Sequence, residues 1–151
     1  MATIDGAEDW AYFGSMKGAG MFKKHINDNS ELISKALDQI PLNGQITKTN
    51  YDNFLKYFQM ELPGNYLATS TRLLAMKRPD IFICYDSKNN NRLCKDFGIT
   101  RNRMNNERYW DEIILRIYDS DWWQRPAPKS DVEAKISLAR SSFLDSLYYL
   151  E

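Results

Sequence analysis

The feature of this sequence that most restricts its fold is the spacing of its large apolar residues. After Ser30 they recur every three or four positions, at Leu32, Ile33, Ala36, Leu37 and Ile40. This spacing places them on one face of an α-helix, and the breakers Pro41 and Gly44 predict where that helix ends. The chain therefore begins its regular structure as a packed, amphipathic helix.

The same pattern returns in the segment TNYDNFLKYFQMEL. Its apolar stripe consists of Tyr51, Phe54, Leu55 and Phe58. Thr49 or Asn50 is expected to start this helix, and Pro63 with Gly64 to stop it. A third helix is predicted from about Leu67 to Met76, before Pro79, because the residue that precedes a proline is pushed out of the α region.

Three more helices are predicted in the second half of the chain. RLCKDF ends at Gly98, a typical C-cap residue. NERYWDEIILRIYDS carries a broad apolar face, formed by Tyr109, Trp110, Ile113, Ile114 and Ile117. Ser130 and Glu133 form a capping box for a last helix. Its buried stripe is expected to consist of Val132, Ile136, Ala139, Phe143, Leu144 and Leu147.

No segment of useful length alternates with the period of two that is typical of strands. The run IFICY, residues 81–85, is compatible with a short strand but is explained more simply as a buried connection. At 151 residues the chain is long enough for one domain with a proper core. We therefore predict an all-α fold, a single compact multi-helix domain over residues 1–151.

Composition argues against several classes of protein. Lys plus Arg and Asp plus Glu each number 20, so nucleic-acid or membrane binding would need a local patch. Cys84 and Cys94 are too few for a disulfide scaffold, and the single histidine, His25, leaves little material for a metal site or a Ser-His-Asp triad. No apolar run approaches the ~20 residues of a membrane span, and the N-terminus does not resemble a signal peptide. We expect a soluble cytoplasmic protein with reduced thiols and no metal or cofactor.

A local basic surplus lies between Lys77 and Arg108. Its cations are Lys77, Arg78, Lys88, Arg92, Lys95, Arg101, Arg103 and Arg108, and its acids are Asp80, Asp86, Asp96 and Glu107. Interleaved asparagines add donors that bind phosphates and read base edges, although a solvated charged loop would show the same pattern. The DNA contacts predicted here are Lys77, Arg78, Lys88, Asn89, Arg92, Arg101 and Arg103.

A glycine-rich turn is predicted in SMKGAGMFKKHI, residues 15–26. Gly18 and Gly20 allow a tight turn with exposed N–H groups, and the N-terminus of the following helix adds positive potential for a phosphate. Lys17, Lys23 and Lys24 lie beside it in sequence. We predict phosphate contacts from these five residues, and an ordinary glycine turn with solvated lysines is the alternative.

Aromatic side chains near the predicted helix ends are candidates for stacking. Trp122 and Trp123 are adjacent, so they cannot both face one core direction, and one indole is expected to be exposed to a base or to a protein partner. At least one of the two is expected in the core. Tyr85 is a further candidate for stacking on a base.

The stretch 61–99 resembles the helix-hairpin-helix DNA glycosylases. A Leu62-Pro63-Gly64 turn leads through an apolar helix to Pro79, then to the run IFICY, and then to Asp86 at the start of the next helix. The resemblance implies that Asp86 stabilises positive charge on the sugar and helps to position water. No lysine lies between Pro63 and Thr71, so a lyase activity is not implied. Asn65-Tyr66 also stands where the family has an apolar residue and glycine.

Asp86 has two interpretations from its own surroundings in the sequence. A carboxylate at the dry rim of an apolar wall stabilises a developing oxocarbenium ion, and a base in a duplex would have to be flipped out to reach it. The same Asp86 would also serve as a helix N-cap, worth ~1 kcal/mol. We predict a DNA-binding, helix-hairpin-helix-like domain that acts in base excision or DNA defence through Asp86. The alternative is a non-catalytic module that binds another protein through Trp122 and Trp123.

Overall fold

The protein is described by a computed structural model over residues 22–28, 30–126 and 128–148. Within these residues it is all-helical, without a strand, as the apolar spacing predicts. The helices are α1 (Phe22–Asp28), α2 (Ser30–Asp38), α3 (Lys48–Glu61), α4 (Leu67–Lys77), α5 (Asn90–Asp96), α6, α7 (Asp121–Gln124), α8 (Asp131–Ser137) and α9 (Arg140–Tyr148). Helix α6 runs continuously through Asn106–Arg108, Tyr109–Ile114 and Leu115–Tyr118, and its middle part is π-helical.

Helices α2 and α3 form one side of the core. Most of the two predicted stripes is confirmed as buried: Ile33, Ala36, Ile40, Tyr51, Phe54 and Phe58. The other members, Leu32, Leu37 and Leu55, are half-buried. The start of α3 differs from the prediction. Thr47 is its N-cap, because the Thr47 hydroxyl accepts the Asn50 N–H at 3.2 Å while the Asn50 side chain accepts the Thr47 N–H at 3.0 Å. This reciprocal pair places the helix start before the expected Thr49 or Asn50.

Helix α6 adds a second set of buried side chains to the core. Its predicted apolar face is confirmed, and the residues that form it are buried: Tyr109, Trp110, Ile113, Ile114 and Ile117. The wider π-helical turns let two adjacent pairs, 109–110 and 113–114, face the same interior. The ring of Trp110 stacks on that of Tyr51, with their centroids 4.9 Å apart, and so joins α6 to α3.

The buried segment, residues 81–85, passes through the core between these helices. All five of its residues are buried and none is in a strand, so the expected buried connection is confirmed. Side chains of other helices form hydrogen bonds with the backbone of this segment. The Tyr109 hydroxyl donates to the Ile83 carbonyl at 2.6 Å and accepts the Ile83 N–H at 3.2 Å, and Thr71 accepts the Tyr85 N–H at 3.0 Å.

The C-terminal region differs most from the prediction. Ser130 is confirmed as the N-cap, since its hydroxyl accepts the Glu133 N–H, but the Glu133 carboxylate accepts from that hydroxyl and not from the Ser130 backbone N–H. Two helices follow this cap instead of one. The predicted stripe is wrong for Val132, Ile136 and Leu147, which are exposed by 69%, 49% and 68%. The polar residues that α9 buries instead are Ser141, Ser142 and Asp145.

The polar inner face of α9 has a physical reason. This helix packs on the backbone at the start of the buried segment, whose carbonyl groups need donors. The Ser142 N–H donates to Pro79 O at 2.9 Å, its hydroxyl to Phe82 O at 3.2 Å, and the Ser141 hydroxyl to Asp80 O at 2.8 Å. A helix with an apolar stripe could make the bond from its backbone N–H but not the two bonds from hydroxyl groups.

We expect Tyr109→Phe to lower the free energy of unfolding by about 1–3 kcal/mol, because the N–H and carbonyl of Ile83 would lose their buried partner. Chemical denaturation measures this change. Tyr66→Phe, at an exposed position, is the matched control and should cost much less. Equal stability of the Tyr109→Phe variant and the parent would contradict the importance of this bond.

Candidate functional site

Asp86 lies where the buried segment leaves the core and turns into α5. Its Oδ1 accepts the Lys88 N–H at 2.8 Å, and the Asn89 side-chain oxygen accepts the Asp86 N–H at 3.0 Å. These reciprocal bonds resemble a capping box. Asp86 thus caps the turn of residues 86–89 that leads into α5.

The second oxygen of Asp86 has a different partner. Arg72 of α4 donates from Nη2 to Asp86 Oδ2 at 3.2 Å, and the two side chains are only 12% and 17% exposed. The Arg72 guanidinium also lies 5.7 Å from the centroid of the Phe22 ring, so α1 borders the pair. A cap needs no cation, and the pairing with Arg72 is therefore a separate feature of Asp86.

A second carboxylate joins this cluster from the far end of the chain. The Asn89 amide donates from Nδ2 to the Cys84 carbonyl at 2.7 Å and to Asp145 Oδ1 at 2.5 Å. Burial raises the pKa of Asp145 to about 6, and the charge of Asp86 adds to the rise, while the Asn89 bond and Arg72 oppose it. We refer to Arg72, Asp86, Asn89 and Asp145 as the Asp86 site.

Asp145 is not among the residues predicted from the sequence, because the apolar pattern assigns the inner face of the last helix to apolar side chains. The sequence does contain an indication that Asp145 shares a face with the two serines, since it follows Ser141 by four residues and Ser142 by three. That spacing places the three polar side chains on one helical face. A stripe of polar residues within a helix is thus as informative as an apolar one when the helix packs on backbone.

Several of the predicted DNA contacts lie exposed on α5, on the turn before it and on the loop that follows it. Arg92 and Lys95 are exposed on α5, Lys88 is exposed in the turn, and Arg101 and Arg103 are exposed in the loop. We call these five residues the basic segment. Four of them are predicted DNA contacts, and Lys95 belongs to the same basic surplus in the sequence.

The loop of the basic segment is held in place by Arg108. Its guanidinium donates to the carbonyls of Asn102 at 2.7 Å and Thr100 at 2.9 Å, and it also pairs with Glu112. Arg103 has a φ of 58°, a left-handed conformation that costs an L-residue about 1–2 kcal/mol. The loop is therefore fixed at its base, with Arg103 in a specific conformation.

Two other residues that were predicted to contact DNA bind groups inside the protein instead. Arg78 is 5% exposed, and its guanidinium binds the Asp80 carboxylate and the carbonyls of Pro41 and Gly44. Asn89 is fully buried within the Asp86 site. Because their donors are used inside the protein, neither is placed to contact a phosphate.

The remaining residues that were predicted to contact phosphates lie in other parts of the chain. Lys77 donates from its ammonium to the Leu37 carbonyl at 2.5 Å, which joins α4 to the end of α2. Lys24 is exposed on α1. Lys17, Gly18 and Gly20 lie outside the described residues, as does the side chain of Lys23. The glycine-turn prediction therefore stays a prediction.

The aromatic predictions are partly corrected. Tyr85 is 5% exposed and its hydroxyl lies 3.3 Å from Cys94 Sγ, so its ring belongs to the core and is not placed to stack on a base. Trp123 is half-buried, and its indole N–H donates to Asp80 O at 2.8 Å. Trp122 is 38% exposed, as expected for one of the pair, and lines a cleft with Phe97 and Arg116.

A larger groove lies at the turn between α3 and α4. It has a volume of about 930 Å³ and is bordered by Pro63, Gly64 and Asn65 on one side and by Lys48 and Lys56 on the other. Asp86 is not among its lining residues. The Leu62-Pro63-Gly64 turn and Asp86 therefore do not share this groove.

Neither a search of the described residues for metal ligands nor a comparison with known proteins adds to the description of the site. In the described part of the chain, no group of three or more His, Cys, Asp and Glu residues is arranged to hold a metal ion. None of the described helices combines the length and apolarity needed to cross a bilayer. Comparison with family models, with curated proteins and with solved structures finds no match to this chain.

The raised pKa of Asp145 predicts how stability depends on pH. The native state holds a proton on Asp145 at pH values where the unfolded chain has lost it, so this residue makes the fold less stable as the pH rises toward about 6. Between about pH 4 and pH 7 we expect the parent to lose about 2–3 kcal/mol relative to Asp145→Asn. Denaturant titrations of both proteins across this range test it, and parallel curves would show that Asp145 does not titrate in this way.

Proposed function

We propose that the chain binds DNA through the basic segment and that the Asp86–Arg72 pair acts on a nucleotide bound beside it, as in base excision. The observation that supports this proposal most is that the two oxygens of the Asp86 carboxylate have different partners. One oxygen caps a turn, and the other is held by a cation at a partly exposed position. An ion pair at the rim of the core, next to a run of exposed cations, suits an anionic substrate.

The chemistry that suits this arrangement is charge stabilisation. When the bond between a base and its sugar breaks, positive charge develops on the sugar, and a nearby carboxylate lowers the barrier. The Lys88 N–H and the Arg72 guanidinium fix the Asp86 carboxylate through both of its oxygens. A carboxylate held in this way needs little reorganisation during the reaction, and a flipped-out nucleotide is the substrate that could reach it.

The resemblance to helix-hairpin-helix glycosylases supports the same proposal. Residues 62–66 connect α3 to α4, and Gly64 has a φ of 135°, which glycine adopts readily. Asn65 donates from its side chain to the Met104 carbonyl at 3.0 Å, so this turn is tied to the loop of the basic segment. The position of the turn is thus linked to that of the loop that carries Arg101 and Arg103.

A second candidate function is the binding of another protein. It is favoured by the apolar side chains exposed around α8: Val132, Ile136 and Leu138 are exposed by 69%, 49% and 68%. Trp122 adds an exposed indole at 38%. An apolar interface of this kind would respond weakly to salt, whereas DNA binding through phosphates weakens steeply as salt rises.

We expect Arg101→Ala/Arg103→Ala to weaken binding to duplex and single-stranded DNA of different sequences by similar factors. The salt dependence should become shallower by about one unit of slope for each phosphate that the variant no longer binds, because fewer counterions are released. Fluorescence anisotropy at several salt concentrations measures both effects. The matched control is Lys129→Ala/Lys135→Ala, which removes two exposed cations outside the basic segment. Absence of DNA binding by the parent at low salt, or an equally large weakening in the control, would contradict the proposal.

We expect Asp86→Asn to fold and to bind DNA but to release no base, because the amide can still accept the Lys88 N–H while the negative charge is gone. A screen of DNA with damaged and modified bases identifies the parent's activity, and the variant is then compared on the same substrate. Asp86→Ala controls for the cap: loss of the cap should cost about 0.5–2 kcal/mol of stability, and loss of the Arg72 pair adds to that cost. Full base release by folded Asp86→Asn would show that the carboxylate serves only as a cap.

A further inference from the structure

A continuous chain of hydrogen bonds joins α9 to α4 through the Asp86 turn. Asp145 accepts from the Asn89 amide at 2.5 Å, and the Asn89 side-chain oxygen accepts the Asp86 N–H at 3.0 Å. The Asp86 carboxylate then accepts from Arg72 at 3.2 Å. Asp145 is therefore two hydrogen bonds away from the backbone of the proposed functional carboxylate.

The attachment of α9 does not explain why Asp145 is buried. Ser141 and Ser142 already bind the backbone of residues 79–82 through three hydrogen bonds. Asp145 is 6% exposed, and burying a carboxylate costs more than burying an apolar side chain. Meanwhile Leu147, on the same helix, is 68% exposed. The side-chain hydrogen bond that accompanies the burial of this acid is the one from Asn89, which is itself fully buried.

What Asp145 does to Asn89 follows from its hydrogen-bonding capacity. The NH₂ group of Asn89 also donates to the Cys84 carbonyl at 2.7 Å, and its oxygen accepts the Asp86 N–H, so these two backbone groups set the orientation of the amide. An ionised carboxylate accepts a shorter and stronger hydrogen bond than a neutral acceptor does, so ionised Asp145 holds the NH₂ group more firmly in that orientation. A protonated carboxyl is a weaker acceptor and leaves the amide less firmly held.

The charged and titratable groups around Asp145 come from several other elements. Asp86 and Arg72 act on its ionisation in opposite directions, since Asp86 raises its pKa and Arg72 lowers it. Cys84 of the buried segment and Tyr109 of α6 lie close enough for Asp145 to raise their pKa values. Of these groups, only Asp86 and Arg72 belong to the Asp86 site.

We propose that Asp145 is a positioning residue of the Asp86 site: its ionised form strengthens the hydrogen bond that holds the Asn89 amide and thereby holds the Asp86 turn, with its carboxylate on Arg72. The consequence of this role for catalysis rests on the proposed function of Asp86. The effect of Asp145 on the Asp86 turn does not depend on that function. The role also ties the activity of the site to the protonation of a residue on the C-terminal helix.

The first test is an NMR titration of the full chain from about pH 4.5 to about pH 7.5, in which burial leads us to expect Asp145 to titrate. The resonances to follow are the Asn89 side-chain amide and the Asp86 backbone amide. In the parent both should shift with one common inflection. Asp145→Asn should abolish that inflection, and Asp131→Asn, which changes an exposed acid on α8, should retain it. Absence of a common inflection in the parent would overturn the proposal without any variant.

The second test compares activity and binding. On a substrate that the parent processes, Asp145→Asn should lower kcat by at least about tenfold while the Kd for DNA stays within about twofold. It should also remove the acidic limb of the pH profile. Unchanged kcat and an unchanged profile in the folded variant would show that Asp145 is merely structural. A parent that shows the common inflection but releases no base would refute the proposed function and would still support the positioning of Asp86.

Discussion

The rest of the structure depends on how the backbone of residues 81–85 is hydrogen-bonded inside the core. This segment is buried and no described residue forms a strand beside it, so its polar groups would destabilise the fold by several kcal/mol if they stayed unpaired. Tyr109, Thr71 and Ser142 supply bonds from three different helices. The relative positions of α4, α6 and α9 are set by the need to reach one segment of backbone.

The same constraint assembles the Asp86 site. Arg72 follows Thr71 directly, so the helix that binds the Tyr85 N–H also brings a guanidinium to Asp86. Asp145 lies three residues after Ser142 on the inner face of α9, so the helix that binds the Phe82 carbonyl also brings a carboxylate to Asn89. The groups that satisfy the buried backbone and those that surround Asp86 are therefore neighbours in sequence. A disturbance of the buried segment would reach the site through both helices.

Helices α2 to α6, the end of α5 before Gly98 and the buried connection could be predicted because they depend on local patterns and on apolar faces that meet other apolar faces. The polar inner face of α9 could not be predicted in this way, because it packs on carbonyl groups. Packing on carbonyl groups does not produce a periodic spacing of apolar residues. The corrections at Arg78 and Asn89 have a similar origin. A surplus of charge in the sequence does not reveal which cations and amides bind carbonyl groups elsewhere in the chain, and Arg78 binds Pro41 and Gly44 across more than thirty positions.

The two sequence interpretations of Asp86 are not exclusive, because its two oxygens have separate partners. The bond from the Lys88 N–H is the cap, which asparagine or serine could also provide. The bond from Arg72 is a charge pair with both side chains largely buried, and such a pair contributes little net stability once the cost of desolvation is included. Removal of one partner of such a pair leaves the other charge largely buried and unpaired, so Arg72 itself favours a carboxylate at position 86. What stability does not explain is the pair as a whole, since two apolar side chains of similar volume would often serve the fold as well. A role of the Asp86 charge toward something that the protein binds would explain why the pair is there.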